Sequence, residues 1–356
     1  MGWSGREDGR RESRDRGRGG FHVGLHRFRA FAIVNIMLAH IWYVPSPFEG
    51  EPGVATAGLV REILFHDSTM YFLFVSGFLA RHLAGRTTVV GYYRKKLLHV
   101  VLPYALFTLL FVVFVIPDGK SGGTGPFGPR LLGALLRGEA CWPYWYIPFV
   151  VPIFVATPLL LAIPSRAFSA LALVAAFLPL LGTRTGVSIT VGQYAYLAPV
   201  YVLGMHAAAE WPRTRARLDR ARWGSFAVAV AATALLAWSG PESRPAGFVD
   251  LTESLFYVQK LALCLWLVAV FTRHENRRMP LVDLVATASF GLYFVHYPVA
   301  YNGLTGGLYA RVLETFPAAT VPVSLVYAVA VGAASLGLVV VAKRGLGRWS
   351  RYLIGS

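Results

Sequence analysis

Charge is scarce in this chain, and acidic charge scarcer still: 15% of the 356 residues are charged, with 18 Asp and Glu against 34 Lys and Arg. Cysteine is nearly absent. Cys141 and Cys264 are the only two, more than a hundred residues apart and in or beside apolar segments, so neither a disulfide framework nor a cysteine metal-ligand spacing is available. No repeat at a fixed period is present, and no pair of inverted halves of the transporter kind. The amino-terminal stretch lacks the apolar core and small-residue cleavage site of a secretory signal, so the first hydrophobic segment is expected to stay as a membrane helix. Around Lys120 the run Gly-Lys-Ser-Gly-Gly-Thr-Gly-Pro looks superficially like a phosphate loop. It does not fit G-x-x-x-x-G-K-[ST] and neither follows a strand nor opens a suitable helix, so it reads as a surface turn.

Apolar surface is what the chain has in abundance. Hydrophobic residues make up 55% of it and the mean hydropathy is +0.52, beyond the range of an ordinary soluble domain. Apolar stretches of about 18 or more residues recur from end to end, each long enough to cross a hydrocarbon core roughly 30 Å thick. The expected fold is all-α, a polytopic membrane protein with about ten transmembrane helices. They fall near 26–45, 63–84, 97–117, 142–163, 167–183, 190–209, 223–239, 254–273, 282–304 and 320–342. The fifth and sixth, separated by Arg184 and the Gly182 to Gly192 turn, could instead form a re-entrant hairpin.

The net charge of +16 would suggest nucleic acid in a soluble protein. Here most of the basic residues fall in alternate connections, which is the positive-inside pattern and places both termini in the cytoplasm. Membrane lipid is the expected partner, and nucleic acid is not. Residues 1–24 are too poor in large apolar side chains to offset the entropy of ordering and read as a disordered basic tail. Residues 25–343 form one membrane domain and 344–356 a short basic tail, so substrate binding is expected to fall to the membrane domain alone.

Several polar groups stand inside the expected spans. Arg29 and His40 are eleven residues apart, about three helical turns plus roughly 20°, so they share a face and sit about 16 Å apart along the axis. An ionisable group at that depth is a functional-site hypothesis; a snorkelling anchor and a structural histidine are the alternative reading. Asp67 enters the second span from the opposite side at a depth similar to His40. A carboxylate there can raise the basicity of an imidazole and fix its tautomer, or else stand alone at headgroup level. Ser76 and Gly77 read as a packing notch rather than a nucleophile and oxyanion hole. The cytoplasmic run containing Arg94, Lys95 and Lys96 could grip phosphates, or could simply follow positive-inside bias and contact anionic lipid. Trp145 and Tyr146 belong to an aromatic group near the outer face, where flat rings suit either a lipid interface or the apolar face of a sugar. Ser289, Tyr293 and His296 fall at i, i+4 and i+7 and line one helix face, which points to a cavity. No metal set is apparent.

Taken in order, these residues resemble the acyltransferase 3 family of membrane O-acyltransferases, including its sugar O-acetylase branch. The resemblance covers most of residues 26–300 and rests on Arg29-x10-His40, Phe74-Val-Ser-Gly-Phe78, Tyr93-Arg-Lys-Lys with Leu102-Pro-Tyr104, Trp145-Tyr146, Pro199-Val-Tyr-Val-Leu-Gly204 and Gly291-Leu-Tyr-Phe-Val-His296. It implies a domain of about ten helices that takes an acyl group, often acetyl, from a cytoplasmic acyl-CoA and places it on a hydroxyl of a glycan, lipid-linked sugar or glycosylated natural product. Acyl-CoA would be a co-substrate rather than a resident cofactor, its phosphates near Arg29, Arg94, Lys95 and Lys96. His40 would be the general base, oriented by Asp67, with Trp145, Tyr146, Tyr293 and His296 on the side of the acceptor. The two lysines depart from an arginine-rich form of the motif. The bacterial cytoplasmic membrane is the location this implies, and a transporter or flippase of a sugar-containing substrate is the competing reading.

Overall fold

The computed structural model describes residues 22–115, 126–182, 189–242, 245–246 and 249–355; the expected tail up to residue 21, the turn at Lys120 and Arg184 lie outside the described residues. Nearly everything described is helical. In chain order the helices are α1 Val23–Ile41, α2 Val54–Phe65, α3 Thr69–His82, α4 Val89–Phe114, α5 Phe127–Arg137, α6 Tyr146–Ala162, α7 Ser165–Leu181, α8 Val191–Ala209, α9 Trp211–Ser239, α10 Leu251–Arg273, α11 Pro280–Tyr301, α12 Gly303–Thr315 and α13 Thr320–Leu346. Among the described residues the one strand pairing is the two-residue ladder of Pro245–Ala246 with Val249–Asp250. The fold is all-α, as the hydropathy pattern predicts.

Helix starts follow from side chains that satisfy the first free N–H groups. Thr88 accepts from Gly91 N at 3.1 Å at the start of α4, and Thr190 accepts from Gln193 N at 3.1 Å at the start of α8. Asp250 accepts from Thr252 N at 2.9 Å and Glu253 N at 3.2 Å ahead of α10. A wider π turn interrupts α4 at Leu97–Val101 and a second, Phe111–Val115, lies at its end; Pro103 follows the first and cannot donate to the helix ladder.

Six stretches among the described residues are long and apolar enough to cross a bilayer: Val54–His82, Val89–Phe114, Trp142–Ala162, Trp211–Ser239, Leu251–Arg273 and Pro317–Leu353. The protein is a multi-pass membrane protein. Helices α1, α8 and α11 also stand where spans are expected but carry more polar groups, Arg27, Arg29 and His40 on α1 among them. The second span departs from expectation. It begins as α2, breaks at His66–Ser68 and resumes as α3, so a turn replaces what the pattern reads as the start of a continuous helix.

Two helix pairs set the frame. Helices α3 and α8 cross backbone to backbone: a Cβ built on Gly77 would lie 2.0 Å from Tyr201 O, and one on Gly204 would lie 2.1 Å from Phe74 O. Gly77 is therefore the packing notch read from the sequence. Helices α1 and α11 run parallel, with Arg27 beside Asp283, Arg29 beside Ser289, His40 beside His296 and Tyr43 beside Tyr301. Arg27, 4% exposed, pins this pair to the end of α10. Its guanidinium holds Asp283 at 2.8 and 3.2 Å, the forked geometry that suits a carboxylate, and donates to His274 O at 3.1 Å.

Because nothing at the α3–α8 crossing can yield without moving backbone, Gly77→Ala and Gly204→Ala are each expected to cost about 1–3 kcal/mol or more. A thermal-unfolding assay in detergent checks this; an unchanged melting temperature in both variants would mean that the two helices do not cross so closely.

Candidate active site

The break between α2 and α3 creates the chemical centre. Asp67 is the one non-glycine residue among those described with positive φ, at 54°. A left-handed aspartate costs of order 1 kcal/mol, and it turns the Asp67 side chain inward, where it is 3% exposed. Its carboxylate accepts from the Tyr196 hydroxyl of α8 at 2.8 Å and lies 3.4 Å from His66 Nε2. On the other side of that imidazole, Nδ1 is 2.6 Å from Glu62 Oε1, while Nε2 is 3.8 Å from Glu253 Oε2 of α10. Ligand atoms of His66, Asp67 and Glu253 lie within 4.8 Å of one another, a spacing that a divalent ion could bridge. Glu253 is far from His66 in sequence, so spacing alone could not show this group.

His40 and Asp67 line the same cavity, about 470 Å³ in volume. Trp145 and Trp142 form part of its wall, with Arg61 and Glu62 from α2 and Tyr297 and Tyr301 from α11. The last turn of α1 is held in register because the Tyr301 hydroxyl donates to His40 O at 2.9 Å. The His40 ring stands 5.7 Å from that of His296 and 6.4 Å from that of Tyr297. His296 is fully buried, and its Nδ1 donates to Leu292 O at 2.9 Å, which fixes the tautomer and leaves Nε2 as a lone pair. Tyr146 and Tyr293 are buried edge to face at 6.1 Å, with the Tyr293 hydroxyl donating to Pro143 O. These two and His296 stand beside the cavity rather than on its wall.

The Arg29 end of α1 has a different character. Arg29 Nη2 donates to Ser289 Oγ at 2.9 Å, so the guanidinium reaches along α11 toward the His40 end. A second cavity, of about 710 Å³, opens at this end between α3, α4 and α6, lined by Lys95, Lys96, Arg86 and His99 among apolar residues. Lys96 Nζ sits 3.7 Å above the Phe154 ring, a cation–π contact. Thr88, Tyr92, Lys95, Lys96 and His99 share the face of α4 that lines this cavity. Arg94 lies off that face and is exposed.

Sequence reasoning named Arg29, His40, Asp67, Lys95, Lys96 and Trp145, and the structure distributes these over the two cavities and the helix between them. It did not find Tyr196, Glu62, Tyr301 or Arg61. Tyr301 follows Tyr297 at i+4 and carried a weak signal; Tyr196 carried none.

A polar cavity around a histidine and a carboxylate, with a basic cavity at the other end of the same helix, defines a membrane protein equipped for chemistry within its helices. The acyltransferase domain family model, that of acyltransferase 3, matches residues 22–343, and the chain belongs to that family. No curated protein and no solved structure matches the chain.

The Tyr196 hydroxyl supports a carboxylate that is almost wholly buried, so Tyr196→Phe is expected to lower stability by about 1.5–3 kcal/mol, the range for a hydrogen bond to a charged group. Thermal unfolding of wild type and Tyr196→Phe in the same detergent measures this, and equal midpoints would count against the bond.

Proposed function

We propose that this protein is a membrane O-acyltransferase that moves an acyl group, acetyl in its simplest form, from a cytoplasmic acyl-CoA to a hydroxyl of a glycan, lipid-linked sugar or glycoside. The observation that carries the proposal is the shared cavity of His40 and Asp67, at the opposite end of α1 from the basic cavity of Lys95 and Lys96. Membership of the acyltransferase family favours a transferase over the transporter or flippase reading. In the topology we favour, about ten helices cross a bacterial cytoplasmic membrane with both termini inside. The basic cavity then faces the cytoplasm and the His40 cavity lies toward the outside. The parallel course of α1 and α11 supports this, because the first and ninth of such spans must run the same way.

The phosphates of the donor are held by Lys95 and Lys96, with Arg94 on the exposed flank of α4 and Arg29 deeper along the path. Lysine meets phosphate as a point charge and arginine as a fork, so the departure from an arginine-rich motif trades geometric fit for mobility at two positions. The acyl arm runs along α1 toward His40. There the imidazole takes the proton of the acceptor hydroxyl as its oxygen attacks the thioester carbonyl. The new C–O bond forms, the C–S bond breaks, and the departing thiolate takes the proton back from the imidazolium. Asp67 orients His40 and favours its charged form in the transition state. Trp145 offers the acceptor sugar a flat apolar wall, while Tyr146, Tyr293 and His296 hold that side of the site in shape.

Purified protein in liposomes, given labelled acetyl-CoA and glycan or glycoside acceptors, is expected to release free coenzyme A and acylate the acceptor. Removing a general base costs about 10²–10⁴ in rate, so His40→Ala should fall by at least that lower factor; wild-type turnover in this variant would sink the proposed base.

Phosphate contacts are separable by the helix face they occupy. Lys95→Ala and Lys96→Ala are expected to raise KM for acyl-CoA by roughly tenfold each, the size of one charge-assisted contact, and Arg94→Ala by less. Equal effects at all three positions would argue for a general surface attraction instead.

A further inference from the structure

Lys260 lies in the middle of α10 with no exposed surface. A lysine at such a depth is expensive and rare. Its ammonium is fully engaged: Nζ donates to Ile63 O at 3.1 Å, to Leu64 O at 2.9 Å and to Gln259 Oε1 at 2.8 Å. Ile63 and Leu64 belong to the last turn of α2, where carbonyls have no helical partner and the helix carries partial negative charge. The residues that follow are His66, Asp67 and Ser68, the turn that lines the His40 cavity. Around Asp67 itself stand His66 from the turn, Glu62 from α2, Tyr196 from α8 and Glu253 from α10.

An apolar residue of similar length would leave these two buried carbonyls unpaired, so the position calls for a donor that reaches the end of α2. The charge is placed where a helix ends and a strained carboxylate begins. We propose that Lys260 is a positioning residue for the transfer reaction: its ammonium clamps the end of α2, so that the turn behind it holds Asp67 on the wall of the His40 cavity. Its kinetic consequences rest on the acyl-transfer reading; the clamp does not.

Two measurements test it. Deuterium labelling of the peptide that carries Ile63 to Ser68 reports how firmly the end of α2 is held, without any turnover. Lys260→Met is expected to exchange there at least about fivefold faster than wild type, as carbonyls left without a donor loosen the last turn, and Lys260→Arg at close to the wild-type rate. Exchange at the wild-type rate in both Lys260→Met and Lys260→Gln overturns the clamp, and the Gln variant keeps the comparison if the Met variant does not fold.

The second measurement is a kinetic cycle. Lys260→Gln is expected to lower kcat by about tenfold or more in the wild-type background with KM for acetyl-CoA little changed, and to have no further effect in Asp67→Asn, because groups acting as one unit are not additive. Full additivity of the two substitutions overturns the positioning role. A wild-type protein without transfer activity would instead remove the acyltransferase reading, leaving the labelling result to decide the place of Lys260.

Discussion

A charge inside a bilayer has no water to hydrate it, so each ionisable side chain on the inner helices must be met by another group of the protein. That requirement arranges this molecule. Arg27 is met by Asp283 and by the carbonyls at the end of α10, Lys260 by the carbonyls at the end of α2, Asp67 by Tyr196 and His66, and Lys96 by the face of Phe154. Each match ties together elements distant in sequence. Arg27 alone joins α1, α10 and α11. Apolar packing cannot specify such a register in lipid, because lipid tails are as apolar as leucine. Close backbone contact at Gly77 and Gly204 and these polar ties supply the specificity instead.

Breaking one tie therefore carries two costs. One is the unpaired group; the other is loss of register between helices whose facing side chains form the site. The α1–α11 pair shows this most clearly. Arg27 with Asp283 and Tyr301 with the carbonyl of His40 fasten opposite ends of the pair, and between them the His40 and His296 rings face each other at 5.7 Å. Tyr301 contributes only a hydroxyl to this, yet it holds the last turn of α1, where the proposed base sits.

Periodicity made part of this legible. Arg29 and His40 on one face followed from helical geometry, and both do face α11. The polar stripe of Ser289, Tyr293 and His296 was legible for the same reason. Phase within α4 would also have separated Arg94 from Lys95 and Lys96, but that needs the direction of the cavity, which only the packing of α3, α4 and α6 provides. The turn at His66–Ser68 was hidden because its flanks are apolar and no glycine or proline marks it. Tyr196, 129 positions from Asp67, and Lys260, 196 or more from the carbonyls it holds, were beyond any local signal. Helices α1 and α11 are less apolar than the six membrane-crossing stretches because they carry Arg27, Arg29, His40, Asp283, Ser289 and His296.

The structure also shortens the axis that the sequence suggests. From Arg29 to His40 the backbone rises about 16 Å, but the guanidinium ends at Ser289, which is seven residues and only about 10 Å below His296. The charge of Arg29 is thus carried along the bundle toward the imidazoles. Lys96, over the face of Phe154, lines the basic cavity instead, so the two cations stand at different places along the bundle. On the proposed reading this divides their work. Lysines on the wall of the basic cavity meet the solvated phosphates, where a mobile point charge suffices. Arg29, desolvated and fixed by Ser289, faces the inner part of the donor, where a rigid fork can align an oxygen near the reacting carbonyl. A lysine at position 29 would end short of Ser289 and could offer neither the reach nor the fork, so the side chain there is set by distance as much as by charge.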